Sequence, residues 1–191
     1  GQVIEAFEAY HRACLSCLPE PPAGAAQSPR ECLEEQRQAG KTILMSGGGR
    51  CNFTNLHVSP ERFLSANPHF CISALSRYTQ WDFIELVERH GIAYFEKQTV
   101  NGLSGQLFCR ESSKQIVAML QEECDQAGVC ILTDCETRTV EHRHGFLLDT
   151  SLGPFRGETL VVATGALSIP SLGGSGFGYA LAEQFGHELT P

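Results

Sequence analysis

The chain has no apolar run long enough to span a bilayer, and its N-terminus lacks the charged-then-apolar pattern of a signal peptide. Positive charge is also in short supply. Fourteen Lys and Arg stand against 22 Asp and Glu, a net −8, and the positive residues are scattered and not striped. Neither a phosphate-tracking groove nor a polybasic membrane patch follows from that pattern, so neither nucleic acid nor membrane is expected as a partner. Gly-x-x-x-x-Gly-Lys-Ser/Thr occurs nowhere, which excludes a P-loop enzyme, and Gly-x-Gly-x-x-Gly is missing as well. Cys14 and Cys17 form a CxxC without the second pair a structural zinc site needs and without a surrounding βαβ pattern. No metal site is expected.

What is present is a 191-residue chain, 42% hydrophobic, enough for one domain with a real core. Its nine cysteines are odd in number and irregularly spaced, which reads as reduced thiols in a cytoplasmic protein and not as a disulfide framework. The first forty residues differ from the rest. Gly1 to Leu18 can form a helix with Val3, Phe7, Tyr10 and Cys14 on one face, after which Pro19, Pro21, Pro22 and Pro29 break regular structure. Residues 1–40 are therefore expected to be an aberrant, poorly ordered segment, with 41–191 as the folded part.

From Lys41 onward the local signals agree with one another. Thr42 to Ser46 reads as a strand, Ser59-Pro60-Glu61 as the start of a short helix, and Thr79 as the cap of a helix that buries Phe83, Leu86 and Val87 and ends at Gly91. Ile92 to Glu96 and Gln106 to Cys109 read as paired strands joined through Asn101-Gly102. Ser112 caps a helix carrying Ile116, Val117, Leu120 and Cys124, which stops at Gly128. Val129 to Thr133, Thr137 to Glu141 and Phe146 to Thr150 are short strands. Leu160 to Ala163 is wholly apolar, as in a strand buried in an α/β sheet, and Tyr179 to Gly186 should be a helix.

Two glycine-rich loops carry the functional signal. Lys41 to Asn55 contains Gly47, Gly48 and Gly49 followed by Arg50, Cys51, Asn52, Thr54 and Asn55. Adjacent glycines let backbone N–H groups approach a flat or anionic ligand with no Cβ in the way, and Arg50 adds a fork of donors suited to phosphate or carboxylate. Thr164-Gly165 and the glycines from Gly173 to Gly178 lead into the last helix, a place where a cofactor phosphate could sit.

These residues resemble those of the bacterial HI0933-like flavoproteins, FAD-dependent or NAD(P)/FAD-dependent oxidoreductases that include aminoacetone oxidases and bile-acid-modifying reductases. The resemblance rests on Lys41 to Asn55, on Gly105-Gln106-Leu107-Phe108-Cys109, and on Leu160 to Pro170 with Gly173 to Gly186. It implies an α/β fold, an incomplete Rossmann-like FAD-binding domain with a small β-meander. It further implies FAD as cofactor, with Gly47, Gly48, Gly49, Arg50, Cys51, Asn52, Thr54, Asn55, Thr164 and Gly165 near it, a small-molecule substrate, and NAD(P)H as a candidate electron donor. Cys51 is read as a small residue packed beside the ring and not as a redox centre.

The chain departs from the family pattern at both ends. The opening strand and pyrophosphate-binding glycine turn are not recognisable in residues 1–33, although Leu33-Glu34 stands where a ribose-binding acid would close the second strand. The change of character near Glu34 predicts a displaced reading frame or false gene start, and Pro191 falls just after the helix that should lead into the substrate-enclosing domain. Two functions follow as expectations. One is hydride transfer to or from flavin N5; the other is a non-catalytic fragment that does not hold flavin tightly. No catalytic base is assigned, because His57, His69, His90, His142, His144 and His187 stand singly or in turns.

Overall fold

The computed structural model describes residues 30–33, 38–97, 105–165 and 175–189. The Gly1–Leu18 helix, the CxxC, Glu34, the Asn101-Gly102 turn and the stretch from Ala166 to Gly174 lie outside them. The chain divides into two compact units, Thr42–Leu120 and the residues on either side of that span.

In the first unit a three-stranded antiparallel sheet has the order β2-β4-β3, formed by β2 (Asn52–Asn55), β3 (Tyr94–Glu96) and β4 (Gln106–Cys109). The pairing of β3 with β4 is the one the sequence pattern predicts, and its register sets Phe95 opposite Phe108 and Tyr94 opposite Cys109. Helix α3 (Gln80–Arg89) buries Phe83, Leu86 and Val87, with Ile84 beside them. Thr79 accepts from the Asp82 backbone while the Asp82 carboxylate accepts from the Thr79 N–H, a complete capping box. At the other end Gly91 takes φ +65°, the left-handed conformation that closes a helix. Phe53 of β2 holds the centre of this core, 5.9 Å from the Phe83 ring and 5.6 Å edge-on from Tyr94. The first turns of α4 (Lys114–Gln126) contribute Ile116 and Met119, both fully buried.

Two features of this unit differ from the sequence-based expectation. Lys41–Met45 is a short helix, α1, and not a strand, and it passes directly into a 3-10 turn at Ser46–Gly49. A five-residue apolar run carries too little periodicity to separate the two states, and here only Ile43 is buried while Met45 is 65% exposed. Helix α2 (Ile72–Arg77) has no cap or buried residue to announce it.

The second unit pairs β1 (Arg30–Leu33) with β5 (Val129–Leu132) in parallel, Leu33 opposite Leu132. It also contains the β-meander, β6 (Thr137–His142), β7 (Phe146–Thr150) and β8 (Gly153–Gly157). The strand β8 was not legible in Gly-Pro-Phe-Arg-Gly, but its place at the sheet edge is where a proline without an N–H is tolerated. Val140, Leu148 and Leu181 form its core, with Leu33, Phe146, Phe155, Leu160 and Phe177 packed around them. Leu181 comes from α5 (Phe177–Gln184), whose Gln184 amide donates to the Val140 carbonyl at 2.7 Å.

The apolar run Leu160 to Ala163 is not a buried strand. Leu160 packs on the core, but Val161 and Val162 are 44% and 45% exposed, and no described strand pairs with them. A buried central strand needs a partner on each side to satisfy its backbone, so apolar composition alone does not make one.

Candidate functional site

The site is built on an unusual backbone. Gly47, Gly48 and Gly49 have φ of +58°, +66° and +83°, three successive left-handed residues, and Cys51 follows at +49°. A residue with a Cβ would cost about 1–2 kcal/mol at each such position, so the run of glycine is a requirement of the turn. The three are not equivalent. A Cβ at Gly47 would stand 2.8 Å from the Phe108 ring and 2.9 Å from the Asn52 nitrogen, whereas at Gly48 or Gly49 it would meet nothing within 4 Å. Gly47 therefore allows the loop to lie down on Phe108, while the space a side chain would fill at Gly48 and Gly49 is open.

The loop is pinned from below. The Ser113 N–H donates to the Gly49 carbonyl at 2.8 Å, the Ser113 hydroxyl to the Leu44 carbonyl at 3.2 Å, and the Cys109 N–H to the Arg50 carbonyl at 2.9 Å. The start of α4 and the end of β4 thus fix the carbonyl side of the loop. Ser113, 2% exposed, was not singled out from the sequence, where it reads as an ordinary neighbour of the Ser112 cap.

The candidate side chains play different parts. The Asn52 amide, oriented with its nitrogen donating, reaches the Leu107 carbonyl at 3.2 Å and the Thr54 carbonyl at 3.1 Å. Asn55 accepts from the His57 N–H at 2.8 Å. Both asparagines shape the turn. Thr54 is completely buried, and among the described residues its hydroxyl has no hydrogen-bond partner. Cys51 is buried, and desolvation raises its pKa although a Ser46 hydrogen bond opposes the shift. Burial, with the neighbouring Cys51, pushes the Cys109 thiol up to about 12. Both stay protonated near neutrality, so neither has the thiolate character of a redox or nucleophilic cysteine.

Arg50 is exposed. Its guanidinium lies over the Phe95 ring, 5.8 Å from the centroid; Phe95 stacks on Phe108 at 6.0 Å, and the Lys97 ammonium sits 5.4 Å above Phe108. The two cations and two rings form one continuous face beside the glycine loop. The sequence marks Phe95 only as a strand residue and does not mark Lys97, since the stacking of Phe95 on Phe108 and the approach of Lys97 to Phe108 depend on the β3–β4 register.

Thr164 and Gly165 belong to the other unit and are exposed. Gly165 has φ +75°, and a Cβ on Gly178 would lie 2.9 Å from the Thr164 hydroxyl, so the glycine in the first turn of α5 makes room for Thr164. Among the described residues no group of three or more His, Cys, Asp or Glu could hold a metal ion, and no helix is long and apolar enough to cross a membrane.

The family model of the HI0933-like protein Rossmann domain matches residues 23–191. The ribosomal RNA dihydrouridine synthases of Escherichia coli K12 and Haemophilus influenzae Rd are 51% and 50% identical over 170 and 164 residues. These matches cover 87% and 83% of this chain but 41% and 40% of the relatives, so the chain spans about two-fifths of their length. A 3-dehydro-bile acid delta(4,6)-reductase of Clostridium scindens is 28% identical over 83% of this chain and 38% of its own length. Among solved structures, glycine oxidase from Geobacillus kaustophilus matches at 16% identity and a TM-score of 0.42, over 83% of this chain and 52% of that one. The chain belongs to the HI0933-like family, and the part of it present here is a Rossmann-like α/β domain.

Proposed function

We propose that this chain is the flavin-binding part of an oxidoreductase, and that the enzyme it belongs to reduces uridine in ribosomal RNA to dihydrouridine. The observation that carries the reading is the identity of one half, over most of this chain, with two relatives whose name specifies that product. Dihydrouridine is uridine with two hydrogens added across a ring C=C. That bond is conjugated to a carbonyl, so the reduction calls for a hydride at one carbon and a proton at the other. FAD, when bound, supplies the hydride, and NAD(P)H is proposed as the source of the electrons.

The residues present fit a flat, anionic cofactor. At Gly48 and Gly49 the space a side chain would fill is open, Arg50 offers exposed donors, and among the described residues the buried Thr54 hydroxyl is without a partner. Gly47, Cys51, Asn52 and Asn55 would hold the shape of that surface. Thr164 and Gly165 are proposed as cofactor contacts on the sequence pattern. The test is a visible absorbance spectrum of the purified chain after incubation with FAD and desalting. Retained yellow flavin, lost on Gly48→Val, is the expected result. A colourless protein would overturn the reading for this polypeptide and leave the alternative, a non-catalytic fragment.

A further inference from the structure

We propose that the face formed by Arg50, Phe95, Phe108 and Lys97 is where an RNA strand lies against this chain, with Lys97 contacting a backbone phosphate as the strand leaves the cofactor loop at Arg50. The proposal rests on the reading above in taking RNA as the substrate, and it adds the surface that would hold it.

The first support is the way the two cations are held. Each sits over a phenylalanine ring, and among the described residues neither forms an ion pair with a carboxylate. An aromatic ring attracts a cation through its quadrupole without cancelling the charge, whereas a carboxylate would neutralise it. A guanidinium lying over a ring also keeps its N–H groups free in its own plane, where a phosphate can accept two of them. The rings themselves are fixed, because Phe95 and Phe108 are direct partners in the β3–β4 register and Phe108 is 7% exposed beneath Gly47.

The second support is how charge is divided along the chain. Thr42–Leu120 contains seven Lys and Arg against six Asp and Glu, a net of +1, while the remaining residues contain seven against sixteen, a net of −9. The acidic total therefore belongs to the other unit. Strand alternation sorts charge further within this one. Glu96 lies between Phe95 and Lys97 in sequence, and its carboxylate accepts from the Gly105 N–H at 2.6 Å. The third support is position. A uracil must approach the flavin closely to receive hydride, so its flanking phosphates must pass the glycine loop, and the face begins at Arg50, exposed at the end of that loop.

The test is fluorescence anisotropy of a labelled, uridine-rich single-stranded RNA titrated with the 191-residue chain over a series of salt concentrations. Loss of one phosphate contact reduces the salt slope by about 0.7 for single-stranded nucleic acid. Lys97→Gln should show that reduction together with weaker binding at low salt, and Lys97→Arg should restore both. Phe95→Leu should weaken binding with the slope retained. Arg143→Gln, which removes an exposed cation of the other unit that is already paired with Glu141, should change neither. Circular dichroism of each variant checks that the fold is kept. An unchanged slope in Lys97→Gln, or no RNA binding by the unaltered chain at low salt, would overturn the proposal. So would a Lys97→Gln variant that loses flavin but binds RNA normally, since the face would then serve the cofactor. Flavin retention is read on the same samples, which separates the two readings. A colourless chain whose slope falls in Lys97→Gln refutes the flavin reading alone, and a yellow chain with no change in slope refutes this one alone.

Discussion

At the scale of single residues, the glycines of the 47–49 turn make a graded prediction. All three need a left-handed backbone, but only Gly47 also needs the space its missing side chain leaves. Gly48→Ala should therefore lose about 1–2 kcal/mol of stability in urea unfolding, the strain of one left-handed residue. Gly47→Ala should lose more, because the added methyl also meets the Phe108 ring. Equal losses would mean that the loop does not rest on Phe108. The thiols give a second prediction. The folded Cys109 pKa is raised from 9.0 to about 12, so at pH below 9 the thiol is protonated in both folded and unfolded states. Above pH 9 the unfolded chain ionises first, and stability falls as the pH rises through the folded value. Unfolding free energy measured from pH 8 upward should decline, and the decline should be shallower in Cys109→Ala. The identity of the glycine loop was legible because its residue types are so constrained. Ser113 and Lys97 were not, because what matters about them is the partner that folding brings, Gly49 from 64 positions away in one case and Phe108 across a strand pair in the other.

Among the elements, those with a strong local signal at both ends were read correctly. Helix α3 has Thr79 and Asp82 at its start, Gly91 at its end and three apolar residues on one face, so sequence and tertiary packing agree. Thr79→Ala should cost about 1 kcal/mol, as an N-cap loss typically does. The hydrogen bonds from Thr79 lower the Asp82 pKa below 3.8, so the carboxylate's share of this stability is present above that pH and lost as pH falls through the lower folded value. A thermal melt series under acid conditions should therefore show the gap between Thr79→Ala and the unaltered chain narrowing without closing, since the Thr79 hydroxyl still accepts from the Asp82 N–H. The elements that were misread, α1 and the Leu160–Ala163 run, share a cause. Each is a short apolar stretch whose state is set by the neighbours available to it, and periodicity has nothing to say about those.

On the scale of the whole molecule, two units with separate cores imply two sets of core substitutions. Leu181→Ala removes a 5%-exposed side chain from the cluster with Val140 and Leu148, and a loss of about 2–5 kcal/mol is expected from the cavity. Hydrogen exchange should show it in β6 and β7, and a Phe83→Ala variant should show its loss in β2 and α3. The most specific of the three segments that carry the family resemblance is Ser46 to Asn55, ten consecutive residues that combine a backbone requirement with specific polar types. The division into two units was not legible, because it depends on which strands pair.

The only tryptophan of the chain, Trp81, lies in the first turn of α3 and is 58% exposed. Its emission is consequently an optical label that came with the protein. It should be red-shifted and readily quenched by acrylamide in the native state, and its change on denaturation reports the melting of Thr42–Leu120 alone. The other unit contains no tryptophan, so selective excitation of this residue follows the melting of one unit without a dye.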